Sequence, residues 1–529
     1  MLDFVARSRV FRIDPLGLSE IPNKDDSIPI LLYIILMYIK KIFWLPPLFL
    51  LPALIFFTCD ETPYFSDNSQ SVRDRPNFLF IISDDQSWIH TSKTGYELVS
   101  TPNFDRIATE GLFFKNSFAS APSCTPSRSA ILSGQDFWRL ESAAFLWGTY
   151  SNNMISYQDI LKSAGYAVGY TGKGWGPGTI IIPGGEPTGE EYNKIRRPPT
   201  ENLEPFDLAA NFAEFLRDKP AGKPFSFWIG SFEPHRNFDE NAPNRFTDER
   251  KSALIPPFLP PINVVKNQLS GYLSEIEYFD NDLGQIIQLL KDHNLFENTI
   301  IVVTSDNGFE FSRGKPTIYE FGVRVPLAIY WSKITSPSRT IEDFVSLIDI
   351  APTFLEAAGI ETPEAMTGKS LLNILTSSTN GQVEPERDAA FVGYERHALY
   401  IREGNATYSS RAIYTKRFTY IINRFPDRWP AGDPPKYVEA IPWLIKDPVT
   451  HEFLEPYFSL VAAKRPLEEL YDLQKDPYQL NNVANDPDYA DILAVLSHRL
   501  KAKLEQTNDP VEASGEDVFS HYEYFGPKE

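Results

Sequence analysis

The sequence predicts an α/β protein with a mostly parallel mixed sheet flanked by helices. A smaller C-terminal α+β region containing an antiparallel sheet is expected to follow. Three observations carry this reading. Two continuous apolar runs end in acids, "PNFLFIISDDQ" (76–86) and "NTIIVVTSDNG" (298–308), as strands buried on both faces do. Segments with helical spacing lie between strand-like runs, the alternation that builds parallel sheets. Near residue 385 the pattern turns to period-two alternation, as in "RAIYTKRFTYIINRF" (411–425), which suits antiparallel strands.

The chain opens on a targeting signal. In "MYIKKIFWLPPLFLLPALIFFTCDE" (37–61), Lys40 and Lys41 precede a proline-interrupted apolar stretch that ends at Thr58-Cys59. The stretch is short and proline-rich for a spanning helix. It resembles a bacterial lipoprotein signal, in which the cysteine after the cut is lipidated. Cys59 is then the lipid-bearing residue, and the protein is exported to the cell envelope, periplasmic or outer-membrane. A plain membrane anchor or a cleaved secretory signal is the other reading. Met37 is expected to be the true start, with 1–36 upstream sequence and 60–73 a polar tether. The chain has two cysteines, so with Cys59 lipidated Cys124 has no partner and no disulfide framework forms.

Further strands are expected in "YAVGYTG" (166–172) and "PFSFWIGSF" (224–232). In "TPNFDRIATEG" (101–111), Thr101 reads as N-cap, Pro102 as first turn and Gly111 as stop. "LSEIEYFDNDLGQIIQLLKDHN" (273–294) and "FVSLIDIAPTFLEAAGI" (344–360) also read as helical. "DYADILAVLSHRLKAKLEQ" (488–506) is amphipathic, with Ile492, Leu493, Leu496, Leu500 and Leu504 on one face. The expected division is a catalytic domain over 74–384, an α+β subdomain over 385–515 and a tail over 516–529. The 529 residues carry a net charge of −20. That argues against a nucleic-acid binder, while a locally cationic site for a small anion remains compatible with it.

Ligands of parallel sheets bind beyond the carboxyl ends of the strands, so the acids ending both apolar runs are expected to face one site. Asp84, Asp85, Asp306 and Asn307 offer hard oxygen ligands without histidine or thiolate, a set for Ca²⁺ or Mg²⁺ rather than Zn²⁺. For one pair alone, turn chemistry is the plainer reading; two pairs bring a metal level with it. In "SCTPSRSAILSG" (123–134), Pro126 is placed like the first residue of a helix ending near Gly134. Cys124 is then at the helix mouth, where the dipole favours an anion and commonly activates a thiolate. Arg128 lies one turn on.

Cys124-Thr125-Pro126-Ser127-Arg128 also resembles the Cys-x-Pro-Ser-Arg signature of type I sulfatases. Other segments are similar to that family in the expected order: "RPNFLFIISDDQ", "GYAVGYTGKG" (165–174), "FEPHR" (232–236), "TSDNG", "GKPTIYEFGVRVPL" (314–327) and "LYDLQKDPYQLNNVANDP" (470–487). The resemblance spans roughly 75–505 and implies an alkaline-phosphatase-like fold. It implies that Cys124 is oxidised to formylglycine by a maturation enzyme. It implies one Ca²⁺ held by Asp84, Asp85, Asp306, Asn307 and residue 124. Arg128, Lys173 and Lys315 are then expected to neutralise sulfate oxygens, with His235 the proton donor to the leaving group.

The chain departs from the family two residues beyond Lys173, where Trp175 stands in place of a histidine. Trp175, Arg236, Arg396 and His397 are carried as substrate-contact candidates; the "YERH" segment (394–397) reads equally as a solvated loop. "EPHRNF", "RAIYTKRFTYIINRFP" and "RWPAGDPP" (428–435) look most like the heparan N-sulfatase branch, which implies a sulfated saccharide substrate bearing an N-sulfate. The alternatives are a carbohydrate O-sulfatase or arylsulfatase, a phosphoester hydrolase of the same superfamily, and a non-catalytic lipid-anchored glycan-binding protein.

Overall fold

A computed structural model describes residues 75–198, 203–239, 241–334, 337–397, 406–430 and 454–522. The signal segment with Cys59 and the tether lie outside the described residues. No helix among the described residues is long and apolar enough to cross a membrane.

The main sheet has eight strands: β1 (Asn77–Ser83), β2 (Leu112–Phe118), β4 (Ala167–Gly172), β6 (Glu190–Glu191), β7 (Phe225–Gly230), β8 (Thr299–Ser305), β9 (Leu327–Tyr330) and β10 (Arg339–Ser346). The short strands β3 (Thr149–Tyr150) and β5 (Thr179–Ile180) form a separate pair. The main order is β10-β2-β9-β8-β1-β7-β4-β6. β9 runs antiparallel to β2 and β8, whereas β1 is parallel to both β7 and β8. The sheet is therefore mixed and mostly parallel, as expected.

The apolar runs are continuous because both faces of the central strands are covered. Phe78, Phe80 and Ile82 of β1 join Ile300 and Val302 of β8 in one core, and Leu79 and Ile81 join Ile301 and Val303 in the other. Seven helices matter below: α1 (Pro102–Glu110), α2 (Cys124–Ser133), α3 (Tyr157–Ser163), α4 (Leu208–Asp218), α5 (Asn263–Asp292), α6 (Ile350–Ala357) and α7 (Ala490–Gln506). α4 and α5 contribute Phe212, Phe215, Leu283 and Ile286 to the second core, and α3 and α6 contribute Tyr157, Leu161 and Phe354 to the first. A second sheet, β11 (Ala389–Tyr394), β12 (Ser410–Thr415), β13 (Phe418–Asn423) and β14 (Glu468–Asp472), is antiparallel throughout. α7 packs with Leu496, Leu500 and Leu504 buried and Ile492 and Leu493 partly buried.

Three local expectations are corrected. Thr101 holds the N-cap position of α1, as expected, but its side chain does not cap the helix: its hydroxyl accepts from Ser92 N at 2.9 Å and donates to Asp105 at 3.2 Å. Asp280 of α5 does the capping, accepting from the N–H groups of Asn103 and Phe104 at 3.0 and 2.8 Å. α5 begins at Asn263, ten residues before the expected start. Gly271 reads as a breaker there, yet it is a contact position: a Cβ would lie 2.8 Å from Asp239 O. Finally, Phe344–Ser346 end strand β10, and helix begins at Leu347 with a 3₁₀ turn. Asp343 makes this strand look polar, but it is buried and accepts from Val383 N and Glu384 N at 2.8 and 2.7 Å.

Candidate active site

The parallel register brings the acids together. Ser83 pairs with Ser305, so Asp84 and Asp306 follow side by side at the carboxyl edge. Along an extended strand, Asp84 and Asp85 would point to opposite faces. Asp85 instead takes φ 71°, left-handed backbone that aspartate tolerates at a cost, and both carboxylates meet one site. Asp85 N donates to Asp306 Oδ1 at 3.1 Å, and Asn307 Nδ2 donates to Asp85 Oδ1 at 2.7 Å. All four residues are fully buried.

Cys124 opens α2, with Ser123 as the N-cap residue and Gly134 closing the helix at φ 63°. The helix thus begins two residues before Pro126. The activated thiolate expected at its mouth is corrected. Burial, with help from Asp84, pushes the thiol up to about 12 against Lys173 and Lys315. Unmodified Cys124 is a neutral thiol and a poor nucleophile. Its Sγ lies 3.4 Å from Asp84 Oδ1 and 3.1 Å from Lys315 Nζ.

Three cations face the three carboxylates. Lys173, just beyond β4, pairs with Asp84. Lys315 Nζ is 2.8 Å from Asp85 Oδ2. Arg128 Nε is 2.8 Å from Asp306 Oδ2, and its Nη1 donates to Lys173 O and Gly174 O at 3.0 Å each. Burial works to raise Asp84, but Lys173 and Arg128 outweigh it and hold the carboxyl well below the usual range. Burial dominates at Asp85 and lifts it to about 6 against Lys315 and His235.

His235, after β7, brings Nε2 to 3.8 Å from Asp85 Oδ2. Its Nδ1 lies 2.8 Å from Arg236 O; a carbonyl only accepts, so Nδ1 carries a hydrogen and Nε2 faces the site. Arg236 stacks over Phe238 and Phe311 and donates to Glu310 O at 2.7 Å. The structure adds Glu310, which the sequence reading passed over. Asp85, His235 and Glu310 each offer an atom within 4.8 Å of the others. Burial would raise Glu310, but Lys315, His235 and Arg236 hold it below its ordinary value.

Trp175 is a packing residue. It is buried, its indole N–H donates to Ser129 Oγ of α2 at 2.7 Å, and its ring meets Tyr150 edge-on. An indole N–H only donates, so it cannot take a histidine's part in proton transfer. Arg396 is buried against the Phe145 ring at 4.2 Å. His397 comes close to the centre: its Nδ1 is 3.0 Å from the hydroxyl of Ser123, which directly precedes Cys124.

His90 stays out of the site, in an aromatic pocket with Nδ1 2.9 Å from Tyr272 OH and its ring edge-on to Tyr96. Burial lowers it to about 3. The unfolded histidine takes up a proton below about pH 6.5, and the folded one does not until about 3. Stability is therefore expected to fall as pH drops through that window, by about 1.4 kcal/mol per pH unit for one proton. Denaturant titrations between pH 7 and 4 should show this slope, and His90→Asn should reduce it. An unchanged slope would exclude His90 as its source.

The donor set fits a hard dication. Asn307 Oδ1 is buried and has no hydrogen-bond partner among the described residues, although its amide nitrogen is fully engaged. Asp84, Cys124 and Asp306 present atoms all within 4.8 Å of one another. A buried carbonyl oxygen left open beside carboxylates is what an oxygen-seeking cation requires. Arg128 Nη2 is likewise buried without a hydrogen-bond partner, and 3.8 Å from Asp84. It is a donor available to an anion.

A carboxyl-edge centre of oxygen donors facing two buried cations, Arg128 and Lys315, and the partly buried Lys173 is that of a hydrolase of oxyanion substrates. The sulfatase family model matches residues 76–360, more than half of the chain, and the chain belongs to the sulfatase family. It is a sulfatase, a hydrolase of sulfuric esters or sulfamates. A second model, "N-sulphoglucosamine sulphohydrolase, C-terminal", matches residues 311–430. An ulvan-active sulfatase of Formosa agariphila is 28% identical over 82% of this chain and 80% of its own. Human N-sulphoglucosamine sulphohydrolase is 26% identical over 83% of this chain and 92% of its own. Among solved structures, a protein in complex with its substrate D-glucosamine-2-N,6-O-disulfate superposes with a TM-score of 0.61 at 21% identity. That alignment covers 84% of this chain and all of the other.

Proposed function

We propose that this protein removes the N-sulfate from glucosamine units of a sulfated glycan, using formylglycine at position 124 and one Ca²⁺. The observation that carries the chemistry is the convergence of Asp84, Asp306 and residue 124 within 4.8 Å, ringed by Lys173, Lys315 and Arg128. The match of residues 311–430 to the N-sulphoglucosamine sulphohydrolase model supports the substrate. Formylglycine made from Cys124 by a maturation enzyme supplies the oxygen nucleophile. Ca²⁺, held by Asp84, Asp85, Asp306 and Asn307 with residue 124, supplies fixed positive charge at the sulfate oxygens.

The chain's own residues do the rest. Lys173, Lys315 and the open Nη2 of Arg128 neutralise sulfate oxygens where water is excluded, so their charges count for more than in solvent. In its doubly protonated form His235 gives its Nε2 proton to the leaving atom while Nδ1–H stays anchored on Arg236 O. A cavity of about 310 Å³ opens beside it, lined by Glu204, Phe232, Glu233, Arg236 and Asn237, and takes the leaving sugar. The signal ending at Cys59 supports export and lipid anchoring in the envelope, where glycan fragments are met.

The test is mass spectrometry of the peptide spanning residue 124, from protein expressed with a maturation enzyme. Conversion is expected to lower its mass by about 18 Da, the thiol-to-aldehyde difference. The matured protein is then assayed for sulfate release from defined N- and O-sulfated saccharides. An unmodified thiol in active protein would rule the nucleophile out, and release from O-sulfates alone would rule the substrate out.

A further inference from the structure

The cations of this site are explained by sulfate; the carboxylate of Glu310 is not. It stands beside Lys315 and His235 in a centre built to receive an anion, where another negative charge opposes binding of the sulfate itself. Its Oε2 is buried without a hydrogen-bond partner among the described residues, with Arg236 Nε 3.8 Å away. One of its oxygens lies within 4.8 Å of both His235 and Asp85. The leaving atom must lie within hydrogen-bond reach of His235 Nε2 to receive its proton. A Glu310 oxygen within 4.8 Å of the His235 ring is near enough to meet that same atom.

We propose that Glu310 reads the leaving atom and selects nitrogen over oxygen. This rests on the N-sulfate reading above and names the residue that enforces it. A carboxylate only accepts hydrogen bonds. The nitrogen of an N-sulfate carries one hydrogen and can donate it to Glu310. The bridging oxygen of an O-sulfate carries none, so two acceptors would face each other, a repulsive contact that acts against the wrong substrate. The hydrolysis is R–NH–SO₃⁻ plus water giving R–NH₃⁺ plus SO₄²⁻: the S–N bond breaks, and the amine leaves as a cation. Glu310 thus meets a donor in the substrate and a full positive charge in the product. Asn307, three residues upstream, belongs to the metal set, so one loop carries both a reaction ligand and the selectivity residue.

The test compares matured wild type with Glu310→Gln, which keeps the shape and removes the charge, on N-sulfoglucosamine and glucosamine 6-O-sulfate. The ratio of kcat/KM for the N-sulfate over the O-sulfate is expected to fall about tenfold or more, the size of one hydrogen bond to a charged group. Glu310→Asp should keep part of the ratio. A second readout needs no turnover: full-length protein with unmodified Cys124 is titrated calorimetrically with glucosamine and with glucose. Wild type should favour glucosamine, and Glu310→Gln should lose the preference. If wild type prefers the N-sulfate and Glu310→Gln keeps the same ratio, this assignment falls and the N-sulfate reading stands. If both substrates slow in equal proportion, Glu310 serves catalysis rather than selection, and the assignment also falls. If matured wild type favours the O-sulfate or releases sulfate from neither sugar, the N-sulfate reading falls and takes this assignment with it.

Discussion

Cys124→Ala is expected to abolish sulfate release, lowering kcat by at least about 10⁴-fold, the scale seen when a nucleophile is removed from an otherwise intact site. The loss should be catalytic rather than structural. Cys124 packs through one sulfur, 3.1 Å from Lys315 and 3.4 Å from Asp84, and removing that atom leaves Lys173–Asp84, Lys315–Asp85 and Arg128–Asp306 in place. The folding cost should be about 1 kcal/mol, in the ordinary range for point substitutions. Sulfate release and the thermal midpoint, measured on the same preparation, separate the two effects. Activity within tenfold of wild type would remove residue 124 from the reaction. A collapsed midpoint would make its role structural.

The thiol's environment gives the proposed conversion of Cys124 a physical reason. Burial and the neighbouring Asp84 push it up to about 12, which favours the neutral thiol over a charged nucleophile at neutral pH. The helix mouth alone would favour the opposite, and burial wins because the residue is only 2% exposed. A motif can mark such a position, but its protonation depends on burial, which only the fold supplies.

Much of this centre was legible before the fold was known. The strands β1 and β8 announce themselves because both faces are buried, which leaves no polar alternation, and parallel register then forces Asp84 and Asp306 together. The second sheet was legible from the strand-like run over 411–425, which β12 and β13 fill around a two-residue turn at Lys416–Arg417, although β12 is buried on both faces up to Thr415. Local pattern failed where a distant partner decides the outcome. Asp280 caps α1 across 176 residues of chain. Asp343 is polar yet buried in a strand because the backbone at 383–384 satisfies it. Trp175 looked like a vacancy in the site, and Ser129 turns it into packing. Glu310 follows Asp306 and Asn307 in no recognisable motif, and its meaning appears only when His235 from another loop stands beside it. His397 arrives from beyond β11 to touch Ser123, a meeting no spacing rule anticipates.

Arg128→Ala and Arg128→Lys are expected to divide what one side chain does into two measurable parts. The guanidinium is wholly buried and satisfies three acceptors, Asp306 Oδ2, Lys173 O and Gly174 O, while keeping Nη2 open. Removing it takes away the ion-pair partner of Asp306 Oδ2 and one donor from each carbonyl, leaving Asp306 with Asp85 N and Lys173 O with Trp228 Nε1. In metal-free protein, Arg128→Ala should therefore cost roughly 3–5 kcal/mol, as breaking a buried ion pair does. Lysine restores a charge, but it lacks the planar fork needed to hold Asp306 and both carbonyls while also presenting a donor to sulfate. Arg128→Lys should recover part of the stability and little of the catalysis, with kcat/KM remaining about 10²–10³-fold below wild type, the cost of losing a preorganised donor to a developing oxyanion. Adding Ca²⁺ sharpens the distinction. A dication at Asp306 compensates the carboxylate that has lost its ion-pair partner and should narrow the stability gap between Arg128→Ala and wild type, but it supplies no replacement for the open Nη2 and should leave the kinetic gap in place. Parallel recovery of stability and kcat/KM on Ca²⁺ addition would mean that Arg128 serves the metal ligands alone, and that the sulfate is held by Lys173 and Lys315 without it.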